Sequence, residues 1–230
     1  RLRLRCCPAR RRRVARALTT GGLLDSVCAH RVIPVVVIDE LASALPLAHA
    51  LSDGGLPVAE VTFRTNAAVA AVRVLAAQTP VLVGAGTIVR RDQVDVAVDA
   101  GARFIVTPGF SPGVVARCLD LGVPVIPGVA TATEVMAALE LELDLLKFFP
   151  AEASGGVAAL RALQAPFPDV RFVPTGGVSA ANAGSYLTLP SVRAVGGSWM
   201  VAPELVRNGD FTAVSRLTRE AVRLAAEVRQ

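Results

Sequence analysis

The fold is decided by two short runs and the stretch between them. The runs are Val58-Ala-Glu-Val-Thr-Phe63 and Val81-Leu-Val-Gly-Ala85, and an alanine-rich stretch separates them. The two outer runs are almost continuously apolar, which is typical of strands buried on both faces in a parallel sheet. The stretch between them, Ala67–Ala77, has the apolar spacing of a helix. This part of the chain therefore predicts one β-α-β unit.

The same alternation recurs along the chain at intervals of roughly 20–25 residues. Eight runs have strand character: Val32–Ile38, Val58–Phe63, Val81–Ala85, Arg103–Thr107, Pro124–Pro127, Asp144–Phe149, Arg171–Pro174 and Val192–Gly196. Helical spacing is found at Leu41–Leu51, Ala67–Ala77, Gln93–Ala100, Pro112–Leu121, Ala132–Leu139, Val157–Leu163 and Asp210–Val228. Eight such units in one chain predict an α/β fold, a single (β/α)8 TIM barrel. A doubly wound nucleotide-binding sheet is disfavoured, because the first turn, Ile38-Asp-Glu40, has no glycine.

Helix starts carry capping signals that agree with this reading. Ser111 precedes a proline at the first turn of one predicted helix. Thr131 and Glu134 have the spacing of a capping box, and Ser179–Asn182 matches it more weakly.

The charge is unevenly distributed. Residues 1–16 hold eight arginines and no acidic residue, whereas the rest of the chain has 16 basic against 19 acidic residues. We therefore expect residues 1–20 to be a basic, disordered extension and residues 21–230 to be the barrel. The slightly acidic body argues against a nucleic-acid partner. With 53% hydrophobic residues, the chain can bury a large core in one domain.

Other features exclude several classes of protein. The four cysteines are scattered without a C-x-x-C pair, and neither His30 nor His49 has ligand-like spacing, so we expect no metal site. Reduced cysteines are typical of the cytoplasm. The chain has no run of 18 or more uninterrupted apolar residues, so we expect no membrane association.

Polar residues and glycines gather at the carboxyl ends of the predicted strands, where a barrel has its active site. The most informative is Lys147, the sole lysine among 24 basic residues, in the apolar run Leu145-Leu-Lys-Phe-Phe-Pro150. Lysine can lose its proton and act as a nucleophilic amine, whereas arginine cannot. The alternative is a lysine at a strand end that snorkels to solvent.

The second predicted strand adds two charged residues. Glu60, Thr62 and Arg64 share one strand face by period-2 geometry. Glu60 in an apolar lumen is suited to shuttling a proton, and Arg64 to gripping a carboxylate through two hydrogen bonds. The alternatives are a structural ion pair of Glu60 with Arg64 or Lys147, and a surface charge for Arg64.

Glycine pairs follow the last two predicted strands, at Gly176-Gly177 and Gly196-Gly197-Ser198. Many barrels bind phosphate there through backbone N–H groups, although tight turns also need glycine. An amine nucleophile, a proton shuttle, a carboxylate-binding arginine and a phosphate cradle together describe an aldolase that acts on a phosphorylated 2-oxo acid. A phosphosugar epimerase or a non-catalytic phosphate-binding barrel remains the alternative.

Several motifs carry a resemblance to a known family: Glu60-Val-Thr-Phe-Arg-Thr65, Gly84-Ala-Gly-Thr87, Thr107-Pro-Gly-Phe110, Pro127-Gly128, Leu146-Lys-Phe-Phe-Pro-Ala151, Pro174-Thr-Gly-Gly-Val178 and Gly197-Ser-Trp199. They resemble the 2-keto-3-deoxy-6-phosphogluconate (KDPG) and 4-hydroxy-2-oxoglutarate (KHG) aldolase family, in order, from about Val32 to Met200. The segment Thr62-Phe-Arg-Thr65 looks more like the gluconate type than the galactonate type.

The resemblance implies a cofactor-free class I aldolase on a (β/α)8 barrel, usually a homotrimer. Its reaction cleaves KDPG to pyruvate and glyceraldehyde 3-phosphate in the Entner–Doudoroff route, with KHG as a further substrate. By motif, Lys147 forms the Schiff base and Glu60 is the acid/base residue. The resemblance further implies these binding residues: Arg64 and Thr87 for the pyruvyl carboxylate, Pro108 and Phe149 around the pyruvyl moiety, and Gly176, Gly177 and Ser198 for the phosphate.

Overall fold

The computed structural model describes residues 22–228. The predicted basic extension, residues 1–20, lies outside the described residues. Residues 22–28 form the first helix, α1, ahead of the first strand. In the described chain, no helix is long and apolar enough to cross a lipid bilayer.

Nine short strand segments alternate with helices. The strands are β1 (Val32–Val36), β2 (Val58–Thr62), β3 (Leu82–Gly86), β4 (Ile105–Val106), β5 (Val125–Ile126), β6 (Gly128–Val129), β7 (Leu145–Phe148), β8 (Arg171–Phe172) and β9 (Val195–Gly197). The helices after α1 are α2 (Ala44–Asp53), α3 (Ala68–Gln78), α4 (Arg91–Asp99), α5 (Pro112–Leu121), α6 (Ala132–Leu139), α7 (Gly156–Gln164), α8 (Ala183–Leu187), α9 (Pro203–Arg207) and α10 (Phe211–Glu227). Two single turns of 3₁₀ helix, Leu41–Ser43 and Trp199–Val201, precede α2 and α9.

The strands form a closed parallel barrel, as the sequence predicts. One ladder has the order β5-β4-β3-β2-β1-β9 and the other the order β6-β7-β8. Strands β5 and β6 are one barrel strand interrupted at Pro127, which has no N–H to donate to a ladder. Its carbonyl still accepts a hydrogen bond of 2.8 Å from the Lys147 N–H. The bridge between Thr175 and Gly196 joins β8 to β9 and completes the ring of eight.

Burial explains why the strand runs are apolar without alternation. All five residues of β2 are buried, because one face points into the barrel and the other lies under the helices. The last helix, α10, packs against α2 and against the turn Trp199–Val201, so it closes the helical layer next to β1. One hydrophobic core therefore runs through the whole described chain.

Two of the three predicted caps are found at helix starts. Ser111 is the N-cap residue of α5, although its side chain makes no capping bond. At α6 the capping box is complete: the Glu134 N–H donates to Thr131 Oγ1 at 3.4 Å, and the Thr131 N–H donates to Glu134 Oε2 at 2.9 Å. The Ala130 N–H also donates to Glu134 Oε2 at 2.9 Å. Burial tends to raise the pKa of Glu134, but these bonds and one from the Thr131 hydroxyl outweigh it and lower that pKa.

The third predicted cap, at Ser179–Asn182, is wrong as a helix start. Helix α8 begins at Ala183, with Asn182 as its N-cap residue. The Asn182 side chain instead accepts a hydrogen bond of 2.8 Å from the Ser179 N–H and donates one of 3.1 Å to the Gly177 carbonyl. These bonds stabilise a turn before the helix, and that turn adjoins the predicted phosphate-binding glycines.

Candidate active site

The centre of the site is a buried ion pair between β2 and β7. The Lys147 Nζ atom lies 3.1 Å from Glu60 Oε1, and only 6% and 4% of the two side chains are exposed. The Lys147 ammonium also lies 5.1 Å from the centroid of the Phe149 ring, a cation–π contact. Taking two charges out of water costs several kcal/mol per ion before their attraction compensates. Because a buried ion pair adds little to stability, its presence here indicates a role in chemistry.

Gly86, at the end of β3, makes room for this pair. A Cβ atom at that position would lie 2.5 Å from Glu60 Cγ and 2.7 Å from Glu60 Cδ, too close for any side chain. The second glycine of the Gly84-Ala-Gly-Thr87 motif, Gly86, is thus required because the Glu60 side chain passes over it. Sequence reasoning did not assign Gly86 a role, and its signals were its place at a strand end and within that motif.

Arg64 and Thr87 form a second, more exposed pair beyond β2 and β3. Arg64 Nε donates to Thr87 Oγ1 at 3.3 Å, and Thr87 has a left-handed backbone with φ of 60°. The predicted shared face of β2 ends at Thr62, whose hydroxyl donates to the Val36 carbonyl. The chain then turns, and the Arg64 N–H donates a hydrogen bond of 2.8 Å to the Thr62 carbonyl. Arg64 therefore lies beyond the strand in an exposed position. Of the ion pairs considered for Glu60, the structure has the one with Lys147.

Thr107, at the end of β4, fixes the Pro108 loop against the neighbouring strand. Its hydroxyl donates to the Gly109 carbonyl at 2.6 Å and accepts from the Gly128 N–H at 3.2 Å. Gly128 packs directly on the Pro108 carbonyl, which leaves no space for a Cβ atom. Sequence reasoning included Thr107 in a motif but gave it no role, because its bond from the Gly128 N–H exists only once the two strand ends are neighbours.

The predicted phosphate-binding residues follow the last two strands. Gly176 and Gly177 have positive φ values of 96° and 78°, which favour glycine, and Ser198 is exposed just before the turn Trp199–Val201. The bridge between Thr175 and Gly196 brings the two strand ends together. Backbone N–H groups of the β8 loop and the Ser198 side chain therefore lie at one side of the barrel mouth.

These features define a class of protein: a (β/α)8 barrel with a buried lysine amine and a carboxylate at the carboxyl ends of its strands, as a Schiff-base enzyme requires. Within residues 22–228, no group of three or more His, Cys, Asp or Glu side chains is arranged to hold a metal ion.

Comparison with known proteins gives the particular family. The family model described as KDPG and KHG aldolase matches residues 24–217. The 2-dehydro-3-deoxy-phosphogluconate aldolase of Treponema pallidum is 48% identical over 84% of this chain and 93% of its own. The KHG/KDPG aldolase of Escherichia coli K12 is 45% identical over 83% of this chain and 90% of its own.

A solved structure agrees in fold. The KDPG aldolase of Legionella pneumophila, with pyruvate captured as a covalent carbinolamine intermediate, superposes with a TM-score of 0.84. It is 42% identical and covers 88% of this chain and 97% of its own. The chain belongs to the KDPG and KHG aldolase family. That family carries out class I aldolase chemistry, so this protein is a carbon–carbon lyase of the Schiff-base type.

Proposed function

We propose that this protein cleaves KDPG to pyruvate and glyceraldehyde 3-phosphate, and also accepts KHG, with Lys147 as the Schiff-base residue. The buried Lys147–Glu60 pair, with its 3.1 Å separation, is the observation that carries the proposal. The related enzymes named KDPG aldolase and KHG/KDPG aldolase support the choice of substrate.

The reaction begins with a proton transfer. A protonated lysine cannot attack a carbonyl, so the Lys147 ammonium must first release a proton, and Glu60 Oε1 lies at hydrogen-bond distance to accept it. The free amine then adds to C2 of the 2-oxo acid. One proton passes from the new C–N nitrogen to the C2 oxygen to give a neutral carbinolamine. Glu60 then returns its proton to this hydroxyl, water leaves, and a cationic imine with one N–H remains on Lys147.

The imine then drives bond cleavage. A base, for which Glu60 is suitably placed, removes the C4 hydroxyl proton while the C3–C4 bond breaks. The bonding electrons move into the iminium to form an enamine, and glyceraldehyde 3-phosphate departs with a new C4 carbonyl. Protonation of the enamine at C3 and hydrolysis of the imine release pyruvate and restore the Lys147 amine.

We assign the remaining predicted residues to substrate binding. Arg64 with Thr87 would hold the substrate carboxylate, since a guanidinium matches a carboxylate in geometry and charge. Pro108 and Phe149 would shape the pocket for the pyruvyl part. The positions of these four residues support the assignment, because each lies at or just beyond the carboxyl end of a barrel strand.

The phosphate would bind beyond β8 and β9, with Gly176, Gly177 and Ser198. The N–H groups of Gly176 and Gly177 have no protein acceptor within residues 22–228. Unpaired N–H groups of consecutive residues with positive φ are suited to an anion.

We also propose a homotrimer in the cytoplasm. Exposed apolar side chains on three consecutive helices, Val96 on α4, Leu119 on α5, and Met136 and Leu139 on α6, support an assembly that covers them. Sedimentation of the purified protein measures its mass directly. Within the described chain, Cys28 and Cys118 are free and buried, in keeping with a reducing compartment.

Borohydride reduction in the presence of pyruvate tests the mechanism. Since Lys147 is the sole lysine, the only other candidate amine is the N-terminus. We expect a stable mass increase that maps to Lys147 and is missing in Lys147→Arg, whose guanidinium stays protonated. The variant should remain folded and lose turnover. An unmodified wild-type protein, or an active Lys147→Arg variant, would contradict the proposal.

A further inference from the structure

The chain that follows Lys147 forms backbone hydrogen bonds with the segment that contains Gly176 and Gly177. The Ala151 N–H donates to the Thr175 carbonyl at 2.8 Å, and the Glu152 N–H donates to the Gly176 carbonyl at 3.0 Å. These bonds continue the pairing of β7 with β8 beyond the ends of both strands. The Gly176 carbonyl is therefore held by the protein and cannot turn toward a bound anion, which it would repel.

The next carbonyl is held from the other side. Asn182 Nδ2 donates to the Gly177 carbonyl at 3.1 Å, while Asn182 Oδ1 accepts from the Ser179 N–H. The Thr175 and Gly176 carbonyls belong to the peptide groups that carry the Gly176 and Gly177 N–H groups, so the bonds from the Ala151 and Glu152 N–H groups fix both of these peptides. The bond from Asn182 to the Gly177 carbonyl fixes the next peptide along the chain. This arrangement leaves the Gly176 and Gly177 N–H groups available to a ligand.

The Glu152 side chain lies across Gly177 and is held at its far end. A Cβ atom on Gly177 would lie 2.6 Å from Glu152 Cγ and 2.7 Å from Glu152 Cβ, so the two residues are in direct contact. The Glu152 carboxylate accepts a hydrogen bond from the Tyr186 hydroxyl of α8. Tyr186 is the sole tyrosine of the chain and its side chain is completely buried.

Two properties of Tyr186 keep its hydrogen bond to the Glu152 carboxylate in place. Burial, followed by the bond to Glu152, raises the pKa of the Tyr186 phenol above its ordinary value, so the hydroxyl keeps the proton that it donates. Helix α8 is also buried on this side, with Ala183 and Leu187 beside Tyr186. The donor therefore sits on a fixed element, while Glu152 lies in a loop.

We propose that Glu152 and Tyr186 are positioning residues for substrate phosphate, which act by holding Gly176 and Gly177 in the anion-binding conformation. The proposal rests on the function proposed above for these glycines. A freed Glu152 carboxylate would also be a negative charge in contact with Gly177, and its repulsion would weaken phosphate binding. The bond to Tyr186 keeps that charge directed toward α8. The pair thus favours phosphorylated 2-oxo acids without touching the reacting carbons.

Tyr186→Phe tests the proposal, because it removes only the hydroxyl and keeps the packed ring. We expect the KM for KDPG and the inhibition constant of inorganic phosphate to rise about tenfold, equivalent to about 1.4 kcal/mol of binding. The kcat should stay within about twofold, since the Lys147–Glu60 pair is unchanged. The pyruvate concentration that gives half-maximal borohydride trapping should not change, because pyruvate carries no phosphate.

A second substitution separates the charge effect from a purely structural one. In the Tyr186→Phe background, Glu152→Gln should recover part of the lost phosphate affinity, because the freed amide has no charge. A merely structural role predicts that the double variant is no better than Tyr186→Phe. Glu140→Gln, an exposed glutamate at the end of α6, is the matched control and should match wild type.

Clear outcomes would overturn the inference. An unchanged KM for KDPG in Tyr186→Phe would refute it, and so would an equal loss for pyruvate trapping, which would indicate damage to the whole site. If Tyr186→Phe does not fold, Glu152→Ala tests the positioning effect alone, since it removes the same hydrogen bond at an exposed residue but frees no charge. The KM for KDPG should then rise by less than tenfold with kcat unchanged, and an unchanged KM would refute the inference. Failure of the proposed function is seen separately, as a wild-type protein that forms no pyruvate adduct.

Discussion

Gly86→Ala should inactivate the enzyme without removing any functional group. The new Cβ atom would lie 2.5 Å from Glu60 Cγ, whereas carbon atoms in contact need about 3.5 Å, so Glu60 must move by ~1 Å. A displacement of ~1 Å in a catalytic group costs about 10²-fold in rate. We therefore expect kcat/KM for KDPG to fall about 10²-fold, measured as pyruvate release coupled to lactate dehydrogenase.

The stability of the variant distinguishes displacement from unfolding. Overpacking a core by one methyl group costs about 1–3 kcal/mol, less than the total stability of a typical domain. Gly86→Ala should consequently stay folded in a denaturant titration. Gly22→Ala is the matched control, since a Cβ atom there meets nothing within 4 Å. A Gly86→Ala variant with wild-type kcat/KM would refute the argument that Glu60 must act from its observed position.

Two further variants test the site and the fold. Glu60→Gln should lower kcat by roughly 10²–10⁴-fold through the loss of the proton shuttle, and an unimpaired variant would return Glu60 to a structural role. Glu134→Ala should lower the free energy of unfolding by about 0.3–1.5 kcal/mol at pH 7, because it removes half of the α6 capping box. The folded-state pKa of Glu134 is below its ordinary 4.5, so its contribution is present above that pH and lost as pH falls through the folded pKa. Urea titrations of wild type and Glu134→Ala at pH 7 and at successively lower pH measure this, and a pH-independent difference would contradict it.

The sequence predicted the barrel well because its periodicities are local properties. The strand runs are largely apolar and seven helices have regular apolar spacing, so most of the units could be identified one by one. Helices α8 and α9 were not predicted, because five residues are too short to show a helical period. The bounds of α5 and α6 agree with the prediction, since a proline fixes the start of one and a capping box that of the other. The Ser179–Asn182 prediction failed because the same side-chain pattern can close a turn as well as begin a helix.

The candidate site was also accessible from the sequence, as far as residue type reveals chemistry. A single lysine in an apolar strand and a glutamate in another marked the two groups that the structure brings to 3.1 Å. Arg64 was placed on the strand face with Glu60, but the chain turns after Thr62 and leaves Arg64 exposed. Strand periodicity cannot show where a strand ends when the next residues have no strong turn signal.

By itself, the sequence determined the order of elements, the closed barrel and the residues with reactive groups, because these depend on local spacing and side-chain chemistry. The tertiary structure decided which of these groups meet and what holds them. Glu60 and Lys147 are 87 residues apart in the chain, and Glu152 and Tyr186 are 34 apart. Their contacts arise only when the barrel closes and packs, so no local pattern could have specified them.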